Sequence, residues 1–276
     1  MEEIEEEMEE EVEDLEEELF YACQDGGVEE VRKLLQNPQI DTDWENEDND
    51  SATPFYVACE EGHVEIVKLL LNDERVDINN PDEFGRTPLY VACQNGYLEI
   101  VKLLLTDERI DINDSSYFGD MLIYIACKKG HIKIVKLLLN DNRVDINKPN
   151  HEYNETPFYI ACQNKHIEIV KLLLNDKRVD VNKAPNGGWT PFYISCFRGF
   201  LEIVKLLLND ERIDIYEPTY FGETPIYAAC QNGNIEIVKL LLLNDKRVES
   251  QLIIKRLYIL LVKKGILKLW NIYWQV

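Results

Sequence analysis

A pattern of two apolar segments separated by a turn recurs along the chain. In residues 53–79 a first apolar segment, Phe55 to Cys59, follows Thr-Pro, and a second begins at Val64, just after Gly62. Thr is a favourable N-cap, Pro fits the first helical position, and Gly adopts the positive φ at which many helices end. The pattern predicts a short helix, a turn and a second helix that is buried nearly all round.

The cysteines give the period of this pattern. All seven occupy one slot, 34 to 36 residues apart, at Cys23, Cys59, Cys93, Cys127, Cys162, Cys196 and Cys230. Such a period is typical of stacked repeats, in which one unit cannot cover its own apolar surface and neighbours stabilise each other. Three slots depart from the pattern: Met121-Leu122 replaces Thr-Pro, Lys165 replaces Gly, and Tyr216 replaces the Asn of Asp-Ile-Asn. We expect mild strain at Lys165.

The unit resembles the ankyrin repeat, which reads T-P-L-H-x-A-A-x-x-G-H-L-E-I-V-x-x-L-L. The resemblance covers residues 20–250 and implies an all-α ankyrin-repeat solenoid. It implies about seven helix-turn-helix repeats, hairpin-like loops between them and a degenerate C-terminal eighth repeat. Tetratricopeptide repeats share the period, but their Trp, Leu-Gly and Tyr signature is absent. Tyr56 and its equivalents replace the His of the motif, which leaves open whether Tyr hydroxyls take over its hydrogen bonds between loops.

The pattern also predicts how the array is divided and where it ends. Repeats are expected near 19–52, 53–86, 87–120, 121–155, 156–189, 190–223 and 224–250. In the first repeat, Glu30 and Lys33 occupy apolar slots of the second helix, so this face is expected to meet water as a capping repeat requires. At the other end, residues 251–276 are predicted to form a degenerate capping repeat.

The two terminal segments differ sharply in charge. Residues 1–18 hold 13 acidic residues and no basic one, and Ile4, Met8 and Val12 recur at the spacing of an amphipathic or coiled-coil helix. This extension is either a solvated run or a helix for a basic partner. Residues 251–276 carry five basic residues, no acid and several aromatic side chains. That tail either packs on the preceding repeat or forms a docking or membrane-surface patch.

Composition and charge exclude several classes of function. The net charge is −23, which repels phosphate backbones, so nucleic acid is not expected as a partner. No stretch reaches 18 apolar residues, and no basic segment precedes an apolar core at the start. A membrane span or signal peptide is therefore not expected. We expect a monomer in the cytoplasm, with the nucleus as the other location.

Candidate chemistry is sparse. Stacked helices lie about 8–10 Å apart, whereas a disulfide needs Cα atoms within about 7 Å. The cysteines are therefore interpreted as small buried packing residues rather than as disulfide or zinc ligands. Three of the four histidines, His63, His131 and His166, share one repeat slot, and no triad, phosphate loop or metal spacing is present. The sequence predicts a non-enzymatic protein without a metal or cofactor.

The resemblance implies a scaffold for protein–protein interaction that acts through a concave surface of loop tips and first-helix ends. The corresponding slots here are Phe84, Arg86, Tyr117, Phe118, Lys128, Lys129, Tyr153, Trp189, Phe197, Arg198, Tyr220 and Phe221. The tip aromatics recur, so they either form a binding ridge or fold down to seal the gaps between tips. The non-recurring Trp189, Phe197 and Arg198, with Lys128 and Lys129, predict a site across repeats four to six for a partner with acidic and apolar determinants.

Two other functions remain open on the sequence alone. A peripheral membrane adaptor would act through the basic, aromatic residues 251–276. A regulatory or inhibitory subunit would use the acidic residues 1–18 to mimic an anionic ligand. The partner is in every case an unidentified protein or peptide, or a membrane surface.

Overall fold

The computed structural model describes residues 15–113 and 116–244. Most of the acidic extension and the predicted capping repeat, residues 251–276, lie outside this part of the chain. The described residues form two compact units, which divide between Asp145 and Ile146. In the described residues the secondary structure is helical apart from an isolated antiparallel bridge between Asn46 and Ala52.

The helices come in pairs. The first unit contains α1 (residues 15–25), α2 (Val28–Leu34), α3 (Pro54–Glu61), α4 (Val64–Leu71), α5 (Pro88–Asn95), α6 (Leu98–Thr106), α7 (Leu122–Lys129) and α8 (Ile132–Leu139), with a 3₁₀ turn at Glu47–Asn49. The second unit contains α9 (Pro157–Gln163), α10 (Ile167–Asn175), α11 (Pro191–Arg198), α12 (Leu201–Leu208), α13 (Pro225–Gln231) and α14 (Ile235–Asn244). The predicted all-α helix-turn-helix architecture is confirmed.

The first helix of each pair begins and ends as its residues predict. Thr53 Oγ1 accepts a hydrogen bond from the N–H of Tyr56 at 3.2 Å, and four further Thr residues make the same bond. Met121 has no side-chain cap. Gly62 ends α3 with φ +84°. Lys165 occupies a glycine slot with φ +63°, which confirms the expected strain.

Within each unit, equivalent helices pack on each other. First helices form the contacts α3 to α5 and α5 to α7, and then α9 to α11 and α11 to α13. Second helices form the rows α2, α4, α6, α8 and α10, α12, α14. Most of the core comes from the first helices, in which six successive residues, Pro54 to Cys59 in α3, are buried.

The prediction that the second helix is buried nearly all round is wrong at its first position. Ile132 of α8 and Ile235 of α14 are 40% and 36% exposed. The third, fourth and seventh positions are buried, as at Ile66, Val67 and Leu70 of α4. These positions face the first helix and the neighbouring second helices, whereas the first residue lies at the edge of that contact.

The first repeat has the water-facing side that was predicted for it. Glu30 and Lys33 of α2 are both exposed. The helix α1 already includes residues 15–18, the end of the acidic run. Glu16 is buried there, and its carboxylate accepts a hydrogen bond from the N–H of Asp41 at 2.9 Å. This part of the run therefore belongs to the first repeat.

The loop after each second helix ties that repeat to the one before it. Arg75 pairs with Asp73 at 2.7 Å and also donates to the carbonyl of Leu35 at 3.1 Å. Equivalent bonds join Arg109 to Leu71, Arg143 to Leu105, and Arg212 to Leu174. Because these carbonyls lie at or near helix C-termini, each arginine caps the preceding second helix.

A second set of hydrogen bonds explains why asparagine recurs at the end of the Asp-Ile-Asn sequence. Asn79 donates to the carbonyl of Arg109 at 2.8 Å and accepts from the N–H of Asp111 at 2.9 Å. Asn147 and Asn182 make the same pair of bonds with the next loop. An amide side chain is needed because the slot both donates and accepts.

Candidate functional site

The tyrosine that replaces the histidine of the motif reaches the next loop. Tyr56 Oη donates to Asp82 Oδ2 at 2.8 Å, and Tyr193 Oη donates to Glu223 Oε2 at 2.8 Å. Burial and the hydrogen bond to Asp82 raise the pKa of Tyr56, so its hydroxyl keeps the proton that it donates. Tyr hydroxyls thus provide the hydrogen bonds between loops at these positions.

Main-chain hydrogen bonds join successive loop tips within each unit. In the first unit, the N–H of Glu83 donates to the carbonyl of Asp50 at 2.8 Å, and that of Tyr117 donates to Phe84 at 3.0 Å. In the second unit, the N–H of Asn186 donates to Tyr153 at 2.8 Å, and Tyr220 donates to Gly187 at 3.2 Å. The tips therefore form ordered rows that carry the predicted aromatic residues.

All six predicted tip aromatics are exposed, from Phe84 at 37% to Phe221 at 83%. The Tyr117 ring lies so close to Gly85 that a Cβ there would be 2.6 Å from it, and Tyr220 covers Gly188 in the same way. One face of each tyrosine therefore seals the preceding tip while the rest of the ring meets water. The residues of the recurring tip slot, Phe84, Phe118, Tyr153 and Phe221, are exposed, and the sealing contacts found here come from Tyr117 and Tyr220, which lie one position before that slot.

Arg86 organises the tip on which it lies. Its guanidinium pairs with the buried carboxylate of Asp82 and lies 3.4 Å from Asp50 on the preceding tip. Its Cζ atom also lies 5.0 Å from the centre of the Phe84 ring. A partner that contacts Arg86 would meet a cation already held by two carboxylates and an aromatic ring.

The two predicted lysines lie at the end of α7 in the first unit. Lys128 Nζ is 3.9 Å from Asp120 and 5.4 Å from the centre of the Tyr124 ring. Lys129 is exposed. Trp189, Phe197 and Arg198 belong to the second unit, where the structure brings the first two together.

Three rings form what we call the Trp189 cluster: Trp189, Tyr193 and Phe197. The centre of the Trp189 ring lies 5.4 Å from the centre of the Phe197 ring and 5.5 Å from that of Tyr193. The ring centres of Tyr193 and Phe197 lie 6.3 Å apart, and these two rings are stacked. Tyr193 is buried, Trp189 and Phe197 are half-buried, and the adjacent Arg198 is exposed. The cluster thus offers a partly open aromatic surface next to a cation.

Two contacts hold the cluster in place. The hydroxyl of Tyr193 donates a hydrogen bond to Glu223, which fixes the position of its ring. Asn234 of the next repeat donates to the carbonyls of Cys196 and Phe197 at 2.8 and 3.1 Å, which fixes the end of α11. The sequence interpretation missed Tyr193 because it recurs in every repeat, and only its spacing of four residues from both Trp189 and Phe197 pointed to it.

The histidine slot serves the stacking of repeats. His63 Nε2 lies 2.9 Å from the carbonyl oxygen of Gln24, and His131 Nε2 lies 2.9 Å from that of Gln94. A carbonyl only accepts, so Nε2 carries the hydrogen in each bond. Each ring also lies against the glycine that ends the preceding first helix, Gly26 or Gly96.

The cysteine slot is a packing position, as predicted. All seven cysteines are buried, and none of them forms a disulfide. Burial raises the pKa of Cys93 and of Cys196, which keeps both as neutral thiols. Within residues 15–113 and 116–244, no group of three His, Cys, Asp or Glu side chains is arranged to hold a metal ion.

The repeat architecture agrees with a known family of proteins. The family model described as ankyrin repeats, in three copies, matches residues 19–116, 109–185 and 178–251. These overlapping matches span every helix pair of the described structure. No curated protein matches the chain. In the described part of the chain, no helix is long and apolar enough to cross a membrane.

Proposed function

The chain belongs to the ankyrin repeat family, whose members serve as protein-binding modules, and we propose that it is a non-enzymatic scaffold for a protein or peptide partner. The partner would contact the loop tips and the exposed ends of the first helices. Several of these positions, among them Trp189, Phe197 and Arg198, differ between repeats while the packing beneath them recurs, so they are free to be shaped by a partner.

The observation that carries this proposal is the Trp189 cluster. Aromatic and arginine side chains dominate the binding energy of many protein interfaces, above all where they are rigid before binding. Here the rings of Trp189 and Phe197 pack on the buried Tyr193, and Arg198 extends beside them into solvent. The arrangement suits a partner that packs an apolar side chain on the exposed parts of the Trp189 and Phe197 rings and presents a carboxylate to Arg198.

The test is affinity purification of the full chain, with bound proteins quantified by mass spectrometry. For a partner captured by the wild type, we expect Trp189→Ala and Phe197→Ala to weaken binding by at least about 2 kcal/mol in a calorimetric titration. Arg198→Glu is the third variant, because an exposed side chain can be changed without loss of packing.

The matched control is Lys205→Glu, which reverses an exposed charge on the second helix of the same repeat. It should leave binding unchanged. Circular dichroism shows whether each variant remains folded. If the three cluster variants are folded and bind as the wild type does, the Trp189 cluster is not the binding site.

A further inference from the structure

The pair α7–α8 differs in charge from the other helix pairs that the structure describes. Its two helices hold four lysines and no Asp or Glu, in a protein of net charge −23. Lys128 lies 3.9 Å from Asp120. The other three, Lys129, Lys133 and Lys136, are exposed. Among the residues that the structure describes, none of these three forms an ion pair.

In four of the other second helices the equivalent lysine is neutralised by a glutamate three residues before it. The pairs are Glu65 with Lys68 at 2.6 Å, Glu99 with Lys102 at 2.7 Å, Glu168 with Lys171 at 2.6 Å, and Glu236 with Lys239 at 2.8 Å. In α8 the slot of that glutamate is occupied by Lys133. This one exchange removes the partner of Lys136 and adds a second cation beside it.

The acids around α8 already have partners. They are Glu99 with Lys102 on the adjacent α6, Asp107 with Arg109 in the loop after α6, and Asp141 with Arg143 in the loop after α8, each at 2.7 Å. Charges beyond about 8 Å are screened at physiological ionic strength, so the near neighbours decide the local potential. Because those three acids are held in pairs, Lys129, Lys133 and Lys136 keep charges that no ion pair in the described residues compensates.

An apolar side chain lies among these cations. Ile132, the first residue of α8, is 40% exposed and directly precedes Lys133. Lys136 follows one helical turn later, and Lys129 ends α7 just before the turn at Gly130. We call Lys129, Ile132, Lys133 and Lys136 the basic patch.

We propose that the basic patch is a second binding surface, which takes an acidic peptide segment of a partner protein. Carboxylates of the peptide contact the three lysines, and one of its aliphatic side chains covers Ile132. The proposal goes beyond the scaffold surface described above, because the patch lies at the helix turn and on the second helix rather than at the Trp189 cluster. Its occupant follows from charge complementarity and from the exposed isoleucine.

A peptide suits this surface better than an anionic membrane does. The row of second helices also carries Glu65 on α4 and Glu99 on α6, both exposed. Each is neutralised by its lysine partner, so a flat lipid surface would gain no attraction from α4 and α6, whereas a narrow peptide contacts the charged patch alone.

The experiment measures fluorescence anisotropy of a dye-labelled peptide, four repeats of Glu-Glu-Leu, titrated with the full chain. A full-chain variant in which each Glu from position 2 to 13 is Gln is titrated in parallel, so that the chain's own acidic run does not compete. We expect saturable binding that weakens as salt is added. Lys133→Glu, which recreates the pair of the other repeats, should lower the affinity at least about fivefold. Ile132→Ser should also weaken binding.

The matched control is Lys177→Glu, the same change of charge at an exposed loop position in the second unit. It should leave the affinity within about twofold of the wild type. Trp189→Ala should have no effect on this peptide, which separates the result from the scaffold proposal. The basic patch is refuted by absence of binding to both full-chain forms, or by equal losses for Lys177→Glu and Lys133→Glu. Binding to phosphatidylserine vesicles without binding to the peptide would refute it as well.

Discussion

The pairs α5–α6 and α7–α8 have nearly the same backbone and different chemistry. At the start of the first helix, Thr87 has φ −78° and ψ 162°, and Met121 has φ −82° and ψ 159°. At its end, Gly96 and Gly130 have φ +85° and +86°. Only Thr87 makes the side-chain cap. The comparison shows that packing against neighbouring repeats fixes the backbone even where a local signal is missing.

The two pairs also differ in the charged side chains on their surfaces. The second helix α6 carries the ion pair of Glu99 with Lys102, whereas α8 carries Lys133 and Lys136. Exposed charges of this kind contribute little to stability, so they are free to vary without changing the fold. We therefore expect recurring residues to serve the packing of the repeats, and non-recurring exposed residues to be the ones available for partner binding.

The largest effect is expected from the shared core. Leu104 of α6 and Leu138 of α8 are both fully buried. Replacement of either by Ala should lower the free energy of unfolding by about 2–5 kcal/mol, because each change leaves a cavity. Urea denaturation followed by circular dichroism measures it. A loss below about 1 kcal/mol for Leu138→Ala alone would show that α7–α8 is packed less tightly than α5–α6.

The next largest effect is expected from the contact between Gly96 and His131, which joins the pairs α5–α6 and α7–α8. Gly96 has φ +85°, and a Cβ on it would lie 2.6 Å from the ring of His131. Gly222 has φ +77°, with no atom within 4 Å of such a Cβ. Gly222→Ala should cost about 1–2 kcal/mol from backbone strain alone. Gly96→Ala should cost clearly more, because the ring must also move.

The same denaturation measurement decides the outcome for both glycine variants. Equal losses would mean that the His131 ring moves away freely and does not hold the two pairs together. His131→Ala in the Gly96→Ala background is the control, since removal of the ring should recover the part of the loss due to the clash.

A smaller effect is expected from removal of the Thr87 N-cap of α5. Thr87→Val keeps the shape of the side chain and removes the oxygen that accepts from the N–H of Tyr90 at 3.2 Å. The expected loss is about 1 kcal/mol, as for other N-caps. Hydrogen exchange of the Tyr90 amide should become faster, while the amide of Tyr124 in the uncapped α7 should not change. Loss of protection in both helices would argue that the cap acts on the whole stack.

The smallest effect concerns the charge difference itself. Lys133→Glu places an acid three residues before Lys136, as in α6. We expect a gain of about 0.2–0.5 kcal/mol at low salt, which should vanish at high salt. Thermal unfolding at two ionic strengths measures the change. A loss of stability would contradict the view that the lysine at 133 brings no structural benefit.

Much of the fold could be predicted because its signals are local. Thr-Pro, the glycine turn and the apolar spacing act within a few residues, so helix starts, turns and the cysteine slot follow from the sequence. The water-facing Glu30 and Lys33 and the strained Lys165 were predictable for the same reason. The candidate residues were likewise found at the chain positions that the repeat assigns to tips and helix ends.

The tertiary structure decided what those side chains contact. The partners of Tyr56, His63 and Arg75 lie some 26 to 40 residues away in sequence, and no local pattern encodes such pairs. Only stacking brings Arg86 to Asp50 of the preceding tip and Tyr193 to Glu223 of the next loop. The exposure of Ile132 could not be predicted either. An apolar residue in a helical pattern is expected to be buried, and only the structure shows that Ile132 lies at the edge of the packed surface.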